Sequence, residues 1–400
     1  MLKKQTIFIS LLAISTYTYA SSSSSTPPSF PDYKLEQITK LIKASDRHLM
    51  ENTQKKLMKQ SRKKMGAFNS YASPKMLAKK ISDNELPHAK KVEKENDTLV
   101  AKSDKYTISV PLDSTGNIVL NQKTAKAFKK FRSKKNAYKF TISLPNKDSN
   151  TFSGQAKVTK ENTIVYKDYQ ENTDIAVQVL DADSMRILTI INDADAPTEY
   201  VYNINLPVGA SMKKLPHGGI NILDKNKKFM GALTPPWALD KNGKKVPTHY
   251  EIRGNKLIQV VEHLSLNVTY PVVADPTYIK SMISSVSWQH KPQPYGNSWF
   301  HYRITVHPTV FGHSPMRFWY AKEGWAELRR KIKHNEWLNY NTSSMRKQYF
   351  CHINFALFRF SGYHLEHWRP DASWGELIRN TCNIPNIWIA RETSYYREYE

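Results

Sequence analysis

The stretch from Ile164 to Pro197, IVYKDYQENTDIAVQVLDADSMRILTIINDADAP, decides the reading of the fold. Within it, Ile175-Ala-Val-Gln-Val179 and Met185-Arg-Ile-Leu-Thr-Ile-Ile191 alternate apolar and polar residues, and Asp193 to Pro197 is a run of turn formers. Alternation with a period of two is the mark of a strand with one face on a core, because successive side chains point to opposite sides. The pattern extends both ways, through Tyr106–Val110, Tyr138–Ile142, Thr163–Tyr166, Tyr200–Ile204 and Leu257–Val261. Turn formers separate these segments at Asp113–Gly116, Asn146–Asn150, Gly218-Gly219 and Asn242-Gly243. Many short strands with regular turns predict an antiparallel β-sandwich over residues 99–277. His217 and Asp240 read as turn residues, and nothing in this region has the form of a catalytic constellation.

Upstream of the sandwich the pattern is different. Lys3 and Lys4 precede a short apolar core, Ile7 to Ile14, and Thr18-Tyr19-Ala20 offers small residues at a cleavage site. This is the form of a signal peptide over residues 1–20, since a bilayer span needs about 20 apolar residues. Ser21 to Pro28 then reads as a flexible linker, within residues 21–30. The expected location is secreted or periplasmic. Residues 31–98 read as a basic helical arm and linker. Leu35, Ile38, Leu41 and Ile42 form one apolar stripe, followed by Leu49, Met50, Leu57 and Met58. A second short helix is expected from Pro74 to Ile81, and a polar linker around Asn84 to Asn96. Such an arm could lie on an anionic membrane, but the plainer expectation is a solvated helical pair or spacer.

Lys and Arg outnumber Asp and Glu by 59 to 35, for a net charge of +24. The excess is spread along the chain, which suits attraction to polyanions such as phospholipid head groups or wall polymers better than a specific nucleic-acid groove. Simple solubility explains it equally well.

Residues 278–400 have a composition of their own. Eight of the nine tryptophans lie from Trp288 onward, and eight of the thirteen histidines fall between His290 and His367. Trp299 to Val306 reads as a strand; Ala321 to Ile332, Ser343 to Phe355 and Asp371 to Thr381 read as helices, the last with Asp371 as its N-cap. The whole is a small α+β domain, so the fold class is mainly β with an α+β C-terminal module. The two cysteines, Cys351 and Cys382, both lie here. In an oxidising compartment such a pair most simply forms one disulfide. The rival reading makes Cys351 a nucleophile beside His352.

The middle region, through the Ile164–Pro197 stretch, LDKNGKKVPTHYEI (Leu239–Ile252) and YPVVADPT (Tyr270–Thr277), resembles β-sandwich units of secreted bacterial surface proteins, including Rhs/YD-repeat proteins. That resemblance implies a scaffold. A second one is sharper. GWAEL (Gly324–Leu328), SMRKQYFCH (Ser344–His352), LEHWRPD (Leu365–Asp371) and Cys382-Asn383 are similar to the secreted bacterial family known as domain of unknown function 2599, over about Ser298 to Pro385. It implies secretion and a Cys351–Cys382 disulfide, not an activity.

The matched positions supply the candidate site. His352 with Glu366 and Asp371 could perform general acid–base chemistry, with Arg346 or Arg369 stabilising an anion. The competing reading is a structural network in which Arg369 pairs with Glu366 and Asp371 caps a helix. His352, His364, Glu366 and His367 suggest a metal cluster, but the family pattern has Asn and Pro near the positions of His364 and His367. No metal and no cofactor is therefore expected. Trp325 and Trp368, with Arg346 and Arg369, are candidate binding residues, because indole rings stack on sugars and accept cations. Two function classes remain open. One is a module that binds a cell-wall glycan or an anionic membrane surface; the other is a secreted hydrolase or toxin.

Overall fold

The computed structural model describes residues 32–65, 81–83, 86–102, 106–122, 139–146, 154–170, 172–181, 184–264, 267–290, 302–309, 320–332, 342–355 and 362–384. The expected signal peptide and linker, and the short helix expected from Pro74, lie outside these residues apart from Ile81.

The middle of the chain is an antiparallel β-sandwich. Its early strands are β1 (Glu93–Glu95), β2 (Thr98–Lys102), β3 (Tyr106–Pro111), β4 (Asn117–Gln122), β5 (Lys139–Ser143) and β6 (Lys157–Val158). The central ones are β7 (Ile164–Gln170), β8 (Thr173–Asp181), β9 (Ser184–Ile191), β10 (Glu199–Asn205), β11 (Ser211–Lys214) and β12 (Ile220–Leu223). β13 (Phe229–Leu233), β14 (Trp237–Leu239), β15 (Thr248–Arg253), β16 (Lys256–Val261), β17 (Val272–Asp275) and β18 (Thr277–Ile279) complete it. One sheet runs β1-β2-β3-β4-β5-β10-β16-β15; the other runs β11-β12-β13-β18-β9-β8-β7-β6, with β14 and β17 attached beside β9. Their facing side chains, among them Ile118, Phe140, Val177, Ile187, Tyr202 and Leu257, form one core. The sheet already begins at Glu93, inside the stretch expected to be arm and linker, because Glu93–Glu95 pairs with Thr98–Val100.

The Ile164–Pro197 stretch supplies the middle of the second sheet, and β9 is buried at every position. Met185, Ile187 and Ile191 face the sandwich core. Leu188 and Ile190 point the other way, so the outer face also needs a cover. That cover is α1 (Asp32–Met65). Leu35, Ile38 and Ile42, spaced three and four apart, press on Val165, Ala176, Leu188 and Ile190. Below them Asp46 accepts both Nη1 and Nη2 of Arg186, at 2.6 and 2.7 Å. The expectation of a solvated arm is corrected here: one face of the helix is core.

The same stripe continues along α1 to a different neighbour. Met50 and Leu57 pack with Phe355, Leu377, Ile378 and the Cys351–Cys382 disulfide of the C-terminal module. A single helix thus seals both bodies.

The C-terminal module is a three-stranded sheet with helices on one face. Its strands are β19 (Ile283–His290), β20 (Tyr302–Pro308) and β21 (Tyr363–Glu366), in that spatial order. The helices are α2 (Ala321–Lys331), α3 (Thr342–Phe355) and α4 (Trp374–Arg379). Ile304, Val306, Tyr363 and Leu365 point to the helices and pack with Leu328, Met345 and Tyr349, in a cluster that also takes in Ala232 and Ile279 of the sandwich. Tyr320 Oη donates to the Leu233 carbonyl at 2.5 Å, a further tie between the two bodies.

Candidate functional site

The family-like positions converge on β21, and the order of the chain explains how. β21 pairs with β20 on one side, leaving its other edge to be satisfied. α3 runs along that edge and offers Ser344, Gln348 and His352, spaced four apart and so on one helical face. Gln348 Nε2 donates to the Glu366 carbonyl and its Oε1 accepts the Glu366 N–H, both at 2.9 Å. His352 Nε2 lies 3.1 Å from the His364 carbonyl and 3.3 Å from Asn383 Oδ1. A carbonyl can only accept, so Nε2 carries the proton. Ser344 Oγ donates to the Arg369 carbonyl at 2.8 Å. One polar stripe of a helix thus does what a neighbouring strand would do.

This arrangement assigns different places to the expected acid–base partners. Tyr363 and Leu365 face the helices while His364 and Glu366 face away, since side chains alternate along a strand. The His352 ring stacks on Tyr363, 5.0 Å between centroids, and is 1% exposed. Glu366 is 2% exposed on the opposite face. Both of its oxygens are engaged: Oε1 accepts from Arg303 Nε and Nη2 at 2.9 and 2.8 Å, and Oε2 accepts from Arg369 Nε. His352 and Glu366 are therefore separated by the strand, and both Glu366 oxygens are taken by the two arginines.

Asp371 stands apart from both. It accepts from Ser343 Oγ at 2.6 Å and pairs with Lys347 at 2.6 Å. Partial burial pushes its carboxyl up, but the bonds from Lys347 and Ser343 outweigh this and hold it below the ordinary value. Asp371 is not the N-cap of α4, which corrects the sequence expectation. Ser373 is the cap, in a reciprocal capping box with Glu376. The Ser-x-x-Glu spacing was present in the sequence as the signal for it.

The other candidates scatter. Arg346 is exposed on α3, its guanidinium 5.4 Å from the Phe350 ring centroid. Trp325 is 8% exposed and packs against Tyr349, so its indole is core rather than a binding platform. Trp368 is half-buried, edge-on to His367 at 5.8 Å. Among the described residues, no group of three His, Cys, Asp or Glu side chains could hold a metal ion. None of the described helices is long and apolar enough to cross a membrane. In the sandwich, His217 and Asp240 are turn residues: His217 Nδ1 accepts from Gly219 N–H, and Asp240 accepts from the N–H groups of Asn242 and Lys244.

The face of the C-terminal sheet that points away from the helices is the feature that sequence reasoning missed. Gln289, Arg303 and Glu366 lie side by side on β19, β20 and β21; Ser287, Thr305 and His364 form the next row, and Ser285 and His307 the third. Ser285, Ser287 and Gln289 are exposed, Arg303 and His307 half-buried, and Thr305 and Glu366 buried, so the face runs from open to sheltered. Thr305 Oγ1 and His364 Nδ1 are 3.0 Å apart. Only the pairing register reveals this set, because its members come from segments up to 81 positions apart in the chain (Ser285 to Glu366).

The fold and this site define a β-sandwich protein carrying a disulfide-closed α+β module with a polar, cationic sheet face. Residues 283–385, which make up most of that module, match the family model described as Protein of unknown function (DUF2599). No curated protein and no solved structure matches the chain.

Proposed function

We propose that the chain is an exported protein whose sandwich is a scaffold and whose C-terminal module binds an anionic polymer at a cell surface. The observation that carries this reading is the polar sheet face. Among the described residues its only carboxylate, Glu366, is buried between Arg303 and Arg369, so the side chains open to solvent are cationic, hydroxyl, amide or imidazole. Such a surface attracts anions and offers hydrogen bonds without a competing exposed acid. The net charge of +24 adds a long-range attraction of the same sign.

The hydrolase reading has less support. It needs His352 near a carboxylate, and the two carboxylates considered for it are Glu366, across the strand, and Asp371, held by Lys347 and Ser343.

The test is co-sedimentation of the purified full-length chain with insoluble anionic wall material and with anionic vesicles, over a range of salt. Binding that weakens as salt rises supports the proposal. Absence of binding to either at low salt rejects it.

A further inference from the structure

The outward face of the C-terminal sheet is specific in its chemistry, and we infer that it binds a sugar polymer carrying acidic groups rather than a phospholipid surface. This rests on the anion-binding reading above and names its ligand.

Surfaces that dock on bilayers bury apolar or aromatic side chains at the head-group boundary. None of the eight side chains in the three rows is apolar, apart from the methyl group of Thr305. The tryptophan on the neighbouring strand, Trp288, alternates to the other side and packs against the helical core.

The open strand β19 presents Ser285, Ser287 and Gln289, all exposed, in a line with hydroxyl and amide groups that can both donate and accept. Sugar hydroxyls need such two-way partners, whereas a lipid phosphate only accepts. Beside that line Arg303 is fixed in orientation. Its Nε and Nη2 are both on Glu366 Oε1, so the end bearing Nη1 is turned away from the carboxylate. A planar guanidinium held this way is suited to a carboxylate or phosphate group arriving from the open side. His307 stands four positions along the same strand and on the same face, over Gly362, where a Cβ would meet the Val306 carbonyl oxygen at 2.8 Å and the imidazole Nδ1 at 3.1 Å. Hydroxyl and amide groups along β19, beside the Arg303 guanidinium and the His307 imidazole on β20, match a chain of sugars with acid substituents.

The experiment measures binding of the full-length chain to polygalacturonate, to uncharged dextran and to phosphatidylglycerol vesicles, at matched charge for the two anionic probes. The inference expects binding to polygalacturonate, little to dextran, and weaker binding to vesicles. Ser287→Glu, at an exposed position outside the Glu366 network, should weaken polygalacturonate binding by about tenfold or more through repulsion and a lost hydrogen bond. Arg303→Gln should weaken it similarly, with unfolding curves to show that the fold is kept. Vesicle binding without polysaccharide binding would overturn the inference and leave the anionic-surface reading standing. Equal binding to dextran would overturn it, because the acid would not be read. Unchanged polygalacturonate binding in Ser287→Glu would overturn it by removing the face from the site. Binding to none of the three would reject both readings.

Discussion

Asp46 and Arg186 form a two-pronged ion pair, at 2.6 and 2.7 Å, between the middle of α1 and the outer face of β9, with 140 positions of chain between them. Both side chains are almost fully buried. Gln178 accepts from Arg186 Nε at 2.7 Å and in turn donates to Thr163 Oγ1, so the guanidinium edge that Asp46 leaves is also satisfied. Burial alone would lower the guanidinium pKa, but Asp46 more than offsets it and raises the value. The pair fixes the position along α1 at which the helix passes from sandwich to C-terminal module.

Removing one partner of such a pair strands a charge in a dry site. Asp46→Asn should lower the unfolding free energy by about 3–5 kcal/mol. The double substitution Asp46→Leu with Arg186→Met should cost much less, because no unmatched charge remains. Denaturant unfolding of the three variants checks this; equal losses in single and double variants would remove the ion pair as the cause.

Asp275 is fully buried near Arg186, and its carboxyl is pushed up to about 7 by burial, only partly countered by a hydrogen bond from Thr277 and the charge of Arg186. A folded-state value above the unfolded one means that the native chain holds this proton more tightly. Its contribution is fully present below about pH 4 and is lost as the pH rises toward 7. The slope is worth on the order of 4 kcal/mol at most. Asp275→Asn should flatten that part of the stability profile, measured as melting temperature between pH 4 and 8. A native profile equally flat across the window would contradict it.

Gln348 satisfies both backbone groups of Glu366 through its side-chain amide. Gln348→Ala should destabilise the C-terminal module by about 1–3 kcal/mol for each group left without a partner. Hydrogen exchange at the Glu366 amide should rise sharply while the sandwich amides stay protected. If that amide exchanges no faster, α3 is not what seals the edge.

The Cys351–Cys382 bridge closes 31 positions of chain. Loop-closure entropy gives it about 3–4 kcal/mol. The double serine variant should melt the C-terminal module first and leave the sandwich transition near its original temperature. Near-UV circular dichroism separates the two, since among the described residues the indoles are concentrated in the module.

Deleting residues 32–65 should expose two apolar surfaces at once, the β7–β9 outer face and the patch around Phe355 and Leu377. The shortened chain should bind a hydrophobic dye and associate on size-exclusion chromatography. A monomer with unchanged dye binding would show that α1 is dispensable. The same contact explains why residues 278–400 taken alone would lack part of their core.

Much of this was legible in the sequence, and the exceptions have physical causes. Alternation through Ile164–Ile191 predicted strands, but the apolar residues at Leu188 and Ile190, on the face opposite Ile187, were the sign that a further layer lies over the sheet. The stripe from Leu35 to Leu57 predicted a helix and said nothing of its partners, because a stripe of leucine and isoleucine is equally complementary to any apolar surface. In the C-terminal module the motif residues were found, but their roles were not. The family-like motifs placed His352 and Glu366 together as an acid–base pair, whereas the alternation of β21 puts them on opposite sides of the strand. Ser373 capped α4 rather than Asp371, since the reciprocal bond needs Glu376 three positions on.

The sequence by itself determined the alternating strands of the sandwich, the long basic helix and the three C-terminal helices, the two cysteines and the excess of positive charge, since each depends on local periodicity or on counting. Tertiary structure alone decided which side chains share a surface. Arg303, Ser287, His364 and Glu366 became neighbours through strand pairing, and Asp46 met Arg186 through helix docking. Such contacts arise from the burial of distant segments against one another, a property of the folded whole that no local stretch encodes.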